Sequence, residues 1–353
     1  MTMMYDVLII GAGQAGLSMG YFLKQSHLSF LIIDKEQEIG DVWRKRYDSL
    51  VLFTPKRYSS LPGLMMEGNV DELPKRDEVV EYLKKYATTY SLPIKHGTEV
   101  ISVEKTKNIF HVVTNRGELL AKQIVVATGP FQTPKIPEIS QNLDKSIKQL
   151  HSSQYKNSNQ LQDGAVLVIG GGNSGTQIAV ELSKTKEVYL SISQKLKFLP
   201  LTFASKSIFW WFDKLGILHA NRDSFIAKKL QQQGDPVFGY ELKESIQKGN
   251  VSLKPRTRNA EHSTIYFEDG DTIKVKNIIW ATGFCLDYQW IKIKEAFDMQ
   301  GNPKHKRGVT SVSGLYFLGL PWQHRRGSAL LLGVGNDAKY LFQQIIENFE
   351  KSV

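Results

Sequence analysis

The chain opens on an apolar run, Tyr5-Asp6-Val7-Leu8-Ile9-Ile10, which predicts a buried strand. Gly11 to Gly16 follows at once, and Leu17, Met19, Tyr21, Phe22 and Leu23 then begin a helical pattern. A second buried strand, Phe30-Leu31-Ile32-Ile33, ends in Asp34. The same order recurs further on. Ala165-Val166-Leu167-Val168-Ile169 predicts a strand, Gly170-Gly171-Gly172-Asn173-Ser174-Gly175 a turn, Thr176 to Leu182 a helix and Val188-Tyr189-Leu190-Ser191-Ile192 a second strand. Laying Gly11 on Gly170 puts Asp34 on Ser193. Two further strand ends echo one another, Ile124-Val125-Val126-Ala127-Thr128-Gly129 and Ile278-Ile279-Trp280-Ala281-Thr282-Gly283. Small residues at the end of a buried strand let the backbone pass close to a nucleotide. Each of these ends lies downstream of its own glycine run, so the pattern predicts two related domains.

The glycine runs carry the candidate chemistry. In the first, Gly11 permits a tight turn, Gly13 lets the backbone approach a pyrophosphate, and Gly16 lets the helix pack on the strand. The helix N-terminus, from Gln14, faces the phosphates. Asp34, followed by Lys35, stands where a carboxylate accepts hydrogen bonds from ribose hydroxyls. In the second run Gly170, Gly172, Asn173, Ser174 and Gly175 repeat the cradle. There Ser193, with Gln194, Lys195 and Lys197, replaces the acid by neutral donors and nearby positive charge, which accommodates the 2′-phosphate of NADPH. The plainer alternative makes the two lysines solvated loop charges. No arginine occupies the slot, so NADH is expected to compete with NADPH. The first run alone admits FAD or a nicotinamide dinucleotide. With Ser193 in the second copy, the N-terminal site is the better place for FAD.

Composition narrows the class. A chain of 353 residues with 41% apolar content suits two domains of ordinary size. The single cysteine, Cys285, excludes an internal disulfide, a CxxC pair and a cysteine-rich metal site, and a cytoplasmic location is expected. No metal site is expected either. Apolar stretches such as Val7 to Ile10, Ala165 to Ile169 and Ala329 to Leu332 fall far short of the roughly 20 residues of a membrane-spanning helix. No signal peptide is expected, and the mature chain is expected to begin at or near Met1. The net charge of +10 is scattered without an aromatic-basic stripe, so anionic cofactors explain it and nucleic acid does not. Between Phe198 and Leu230, Phe203, Ile208, Phe209, Trp210, Trp211, Phe212, Leu215, Ile217 and Leu218 form an aromatic-rich stretch. It is expected to line a substrate channel or form a dimer surface. Its imperfect amphipathic pattern disfavours a membrane-surface role.

Longer blocks add a resemblance. They are Gly11 to Gly16; Gly40-Asp41-Val42-Trp43-Arg44 with Arg46-Tyr47-Asp48-Ser49-Leu50 and Leu52-Phe53-Thr54-Pro55; Ala127-Thr128-Gly129-Pro130-Phe131; Gly170 to Gly175; and Trp280-Ala281-Thr282-Gly283-Phe284. The last runs from Gly314-Leu315-Tyr316-Phe317-Leu318-Gly319-Leu320-Pro321-Trp322 through Arg326-Gly327-Ser328-Ala329 to Asp337-Ala338. Together they resemble the single-component flavin-containing monooxygenases, in particular their bacterial CzcO-like and YUCCA-like members, over nearly the whole chain.

The resemblance implies an α/β fold of two Rossmann-like dinucleotide-binding domains, the NAD(P)H domain (160–300) inserted between an FAD domain (1–155) and its C-terminal return (305–353). It implies that reduced flavin captures O₂ as a peroxide and passes one oxygen to a soft nitrogen or sulfur atom of a small molecule, or inserts it beside a ketone carbonyl. Flavin is then the reactive centre, and no catalytic side chain is assigned. Trp43, Arg44 and Thr54 would line the flavin, joined by Thr128 and Gly129, with Gln323, Arg326 and Ser328 near its pyrimidine edge. Blander alternatives make Trp43 core and either arginine a surface ion pair. Asp337 would touch the ribityl or pyrophosphate region, or cap a helix beginning at Ala338. Two departures stand out. His151-Ser152-Ser153-Gln154-Tyr155 matches half of a family signature, but Lys145 and Ile147 hold its Phe and Gly positions. Ser193 stands where NADPH-preferring relatives carry arginine. The alternatives are therefore a flavin reductase or NAD(P)H oxidase, or a flavoprotein accessory to metal efflux; Cys285, having no partner, disfavours a disulfide reductase. His151 and Tyr155, at helical spacing, are either a shared site element or a structural pair. A homodimer is the default assembly.

Overall fold

The computed structural model describes residues 4–351, and the expected start at Met1 lies outside them. Two sheets organise the chain, the first mixed around a parallel centre and the second parallel throughout. In the first, Ile94–Lys95, Phe30–Ile33, Met4–Ile10, Gly117–Val126 and Leu315–Phe317 lie side by side in parallel, in that order. Val7 to Ile10 are buried, because helices cover one face of the sheet and a second apolar layer covers the other. Gln14–Leu23 and Leu331–Glu350 pack together on the first face. An antiparallel pair, Val100–Thr106 and Ile109–Thr114, joins the outer part of Gly117–Val126. Leu315–Phe317 comes from the far end of the sequence yet pairs in register with Ile124, Val125 and Val126.

The second sheet is wholly parallel, ordered Val251–Lys254, Val188–Ser191, Val166–Ile169, Asn277–Trp280, Lys148–His151. Its three central strands repeat the order of Phe30–Ile33, Met4–Ile10 and Gly117–Val126. The internal repeat in the sequence is thus a repeat of sheet position.

The unit boundaries differ from those at 155–160 and 300–305. Lys148–His151 hydrogen-bonds to Asn277–Trp280, with Trp280 opposite His151, so the second unit's sheet already includes it. Tyr288, Ile291, Ile293 and Ala296 pack with Leu8, Phe110 and Phe317 in the first unit's core. The chain crosses between the units where Thr133–Pro134 pairs antiparallel with Phe284–Cys285.

His151 and Tyr155 are not on a helix. His151 ends a strand, and the Tyr155 N–H donates to the His151 carbonyl at 3.1 Å across a turn. His151 Nε2 lies 3.0 Å from the Gly283 carbonyl, and Tyr155 Oη donates to Glu181 Oε1 at 2.9 Å. Both side chains are buried.

Helix Asn173–Leu182, which begins within the second glycine run, is docked on the first unit. Tyr47 Oη donates to Gln177 Oε1 at 2.8 Å, Gln177 Nε2 donates to the Val51 carbonyl at 3.1 Å, and Ser49 donates to Glu181. The aromatic-rich stretch packs beside it. Phe209, on helix Ile208–Lys214, is buried against Phe53 and Phe238, and the rings of Phe53 and Phe238 stack at 4.7 Å. Tyr58 Oη donates to Asp213 Oδ2 at 3.3 Å. The stretch therefore covers the segment around Phe53, while Phe203, Leu215 and Phe225 stay exposed. Among the described residues no helix is long and apolar enough to cross a membrane.

Candidate functional site

Both glycine turns have the same geometry. Gly11 and Gly170 have φ of +110° and +122°, and a Cβ on either would fall 2.6 and 2.2 Å from the carbonyl oxygens of Ala127 and Ala281. Only glycine permits that backbone and that approach. A Cβ at Gly16 or Gly175 would lie 1.8 or 2.0 Å from the carbonyl oxygen of Gly11 or Gly170, so each helix sits directly on its own turn. Gly13 and Gly172 behave differently. Each has an extended backbone at the helix N-cap, and a Cβ there would meet nothing within 4 Å. The middle glycine of each run faces open space at a positive helix end, where a diphosphate would rest.

The first turn opens on a cavity of about 510 Å³ lined by Gly11, Gly13, Gln14, Asp34, Lys35, Trp43, Thr128 and Gly129. Asp34 stands at the end of Phe30–Ile33. Its Oδ2 accepts from the Ala12 N–H at 2.5 Å and its Oδ1 from the Glu36 N–H at 2.7 Å. Each oxygen keeps a further lone pair for a ribose hydroxyl. Trp43 Nε1 donates to Gln14 Oε1 at 3.4 Å, and Gln14 Nε2 donates to the Ala329 carbonyl at 3.3 Å, tying the turn to the C-terminal return. Gln132 Nε2 donates to Thr128 Oγ1 at 3.1 Å and to the Gly129 carbonyl at 2.9 Å.

Other expected residues lie elsewhere. Gly16 serves packing. Arg44 is half-exposed and pairs with Asp41 at 2.6 Å and Glu38 at 3.3 Å. Thr54 is buried in a hydroxyl pair with Ser59 at 2.7 Å. Gln323 Oε1 accepts from the Leu320 N–H and Ser328 Oγ accepts from the N–H groups of His324 and Arg325, so both brace the loop before the last helix. Arg326 reaches Asp235 at 2.8 Å, joining that loop to the segment just after the aromatic stretch. Asp337 does not cap a helix: it lies inside Leu331–Glu350, fully buried, and accepts from Arg307 Nε at 3.1 Å. None of Arg44, Thr54, Gln323, Arg326, Ser328 and Asp337 lines the cavity.

At the second turn Gly172 caps helix Asn173–Leu182, which begins with Asn173 and Ser174. Ser193, Gln194 and Lys195 are exposed just beyond Val188–Ser191, and Lys195 makes no ion pair among the described residues.

Arg46, Phe131 and Phe284 also line the cavity. The Arg46 guanidinium lies 4.6 Å from the Phe131 ring centre and 5.3 Å from that of Phe284. The sequence blocks contained all three but gave no sign that they meet.

Comparison with known proteins fits this geometry. Residues 8–199 match the family model described as pyridine nucleotide-disulphide oxidoreductase. The chain belongs to that family. It is 57% identical over 342 residues to the uncharacterized oxidoreductase CzcO of Bacillus subtilis (strain 168), covering 97% of this chain and 99% of the relative. It is 26% identical to the probable indole-3-pyruvate monooxygenase YUCCA3 of Arabidopsis thaliana, over 98% of this chain and 87% of the relative. A flavin-containing monooxygenase from Stenotrophomonas maltophilia superposes with a TM-score of 0.83 at 28% identity, covering 98% of this chain and 99% of that one. The CzcO-like resemblance in the sequence is thereby established, and with it an oxidoreductase of the two-dinucleotide flavoprotein type. FAD and a nicotinamide dinucleotide are the cofactors of this type, and two cradles of the right form are present.

Proposed function

We propose that the chain is an FAD-dependent monooxygenase that draws electrons from NADPH or NADH and transfers one oxygen atom of O₂ to a small molecule bearing a soft nitrogen, sulfur or ketone group. The observation that carries this reading is the pair of glycine cradles joined by one seam in a chain whose only cysteine is Cys285. Electrons from the nicotinamide have no internal disulfide to reach, so O₂ or an external acceptor must take them. Bound FAD supplies hydride acceptance and oxygen activation. The chain's part is to hold the first diphosphate on the Gly13 turn and to hold the ribose with Asp34. The names of the YUCCA and Stenotrophomonas relatives support oxygenation. A single cysteine, Cys285, suits a reducing compartment such as the cytoplasm, and a homodimer is the default assembly.

The test is coupling. With NADPH alone, the holoenzyme should release close to one H₂O₂ per NADPH oxidised. Among thioethers, tertiary amines and ketones, a true substrate should lower that ratio and acquire ¹⁸O from ¹⁸O₂. If every compound leaves peroxide stoichiometric, the oxidase reading replaces this one; the incomplete signature at Lys145 and Ile147 favours that alternative.

The nicotinamide choice gives a second test. Ser193 is exposed at the position equivalent to Asp34, close in sequence to Lys195, which makes no ion pair among the described residues, and no arginine occupies the slot. Wild type should therefore use NADH within about tenfold of NADPH. Ser193→Arg should raise the NADPH-to-NADH ratio of kcat/KM by roughly 10-fold, the worth of one bidentate charge-assisted contact. An unchanged ratio would place the 2′-phosphate elsewhere.

A further inference from the structure

Three consecutive cations follow Trp43, and the fold treats them differently. Arg44 pairs with Glu38 and Asp41, and Lys45 pairs with Glu36. Arg46, partly buried, makes no ion pair or side-chain hydrogen bond among the described residues. Its contacts are the rings of Phe131 and Phe284, which attract a cation but offer no lone pair. Its five N–H donors are left for something else. Burial pulls its pKa below the ordinary guanidinium value, offset only in part by the neighbouring Tyr47 hydroxyl. A cation held on a cavity wall without a counter-ion is placed to receive an anion.

Position identifies the anion. Phe131 follows Ala127-Thr128-Gly129, the loop against which Gly11 turns, and Phe284 follows Ala281-Thr282-Gly283, the loop against which Gly170 turns. Arg46 therefore sits between the strand-end loops that flank the two glycine cradles, in the same cavity as Gly11, Gly13 and Gln14. We propose that Arg46 clamps the diphosphate of a dinucleotide held in this seam, either that of FAD or that of the nicotinamide cofactor. The proposal rests on the chain's two cofactors and is independent of oxygen transfer.

Holoenzyme carrying Arg46→Met, Arg46→Gln or Arg46→Lys is compared with wild type in two measurements. The first is FAD release on dilution, followed by flavin fluorescence. The second is anaerobic flavin reduction against NADPH and NADH concentration, which separates apparent Kd from the limiting rate. Met and Gln should weaken one of the two bindings by roughly 10- to 100-fold, as for loss of a charge-assisted contact, and Lys should recover part of it. Faster FAD release assigns the clamp to FAD. A raised Kd for NADPH and NADH alike, at full flavin content, assigns it to the nicotinamide cofactor. Should Met fail to fold, Gln keeps a polar head in the cavity and carries the same comparison. Both bindings within twofold of wild type in a folded Met or Gln variant would overturn the proposal. So would a change confined to the KM of a carboxylate substrate.

Discussion

A Gly13→Asp variant is expected to fold, to gain a little helix stability and to purify without its yellow colour. Gly13 has φ −76° and ψ −171°, a backbone any residue adopts, and a Cβ there meets nothing within 4 Å. The position is the N-cap of Gln14–Leu23, which has no side-chain cap. Aspartate is among the best N-cap residues and adds a few tenths of a kcal/mol over glycine, with about 0.3–1 more from its charge at the positive helix end. The same carboxylate stands where the FAD diphosphate must lie. Like charges brought that close cost several kcal/mol, so FAD affinity should fall by at least about 100-fold. Flavin absorbance per protein and far-ultraviolet circular dichroism check the two halves together. A folded variant with full flavin would remove FAD from the first turn. Gly16→Ala is the contrast: its Cβ would lie 1.8 Å from the Gly11 carbonyl oxygen, so colour and fold should be lost together.

Local features survived the passage from sequence to structure because local sterics dictate them. Gly11, Gly16, Gly170 and Gly175 are where they are because a Cβ would strike a backbone carbonyl, and such a requirement is written in the residue itself. Asp34 was legible for a related reason: the end of a buried strand beside a glycine turn is one fixed place. The nonlocal features were not legible. Lys148–His151 looks like any short strand, and only its pairing with Asn277–Trp280 puts it in the second unit. Arg44 and Arg46 are two members of one basic run. Which of them faces the cavity depends on Asp41 and Glu38 capturing the first and on Phe131 and Phe284, far along the chain, meeting the second. Gln323 and Ser328 lie in a block that resembles flavin-binding chain, yet their polar atoms bond Leu320, His324 and Arg325. A block match locates a loop but does not say which of its side chains point inward.

Gly172→Asp should do to the nicotinamide what Gly13→Asp does to the flavin. Gly172 has φ −76° and ψ 172°, caps Asn173–Leu182 without a side-chain bond, and likewise offers a Cβ nothing within 4 Å. The variant should keep its flavin and its fold, since the helix it caps stays docked through Gln177 and Glu181 on Tyr47, Val51 and Ser49. Reduction by NADPH or NADH should then need roughly 100-fold more cofactor, the cost of a carboxylate against a second diphosphate. Dithionite, which needs no nucleotide site, should reduce both proteins alike, separating lost binding from a damaged flavin. Unchanged reduction by NADPH would remove the nicotinamide from the second turn. If instead this variant is colourless and Gly13→Asp is yellow, the two cofactors are exchanged. Because the two turns are nearly the same in geometry, the distinction rests on what lies beyond them: Asp34 beside one, Ser193 and Lys195 beside the other.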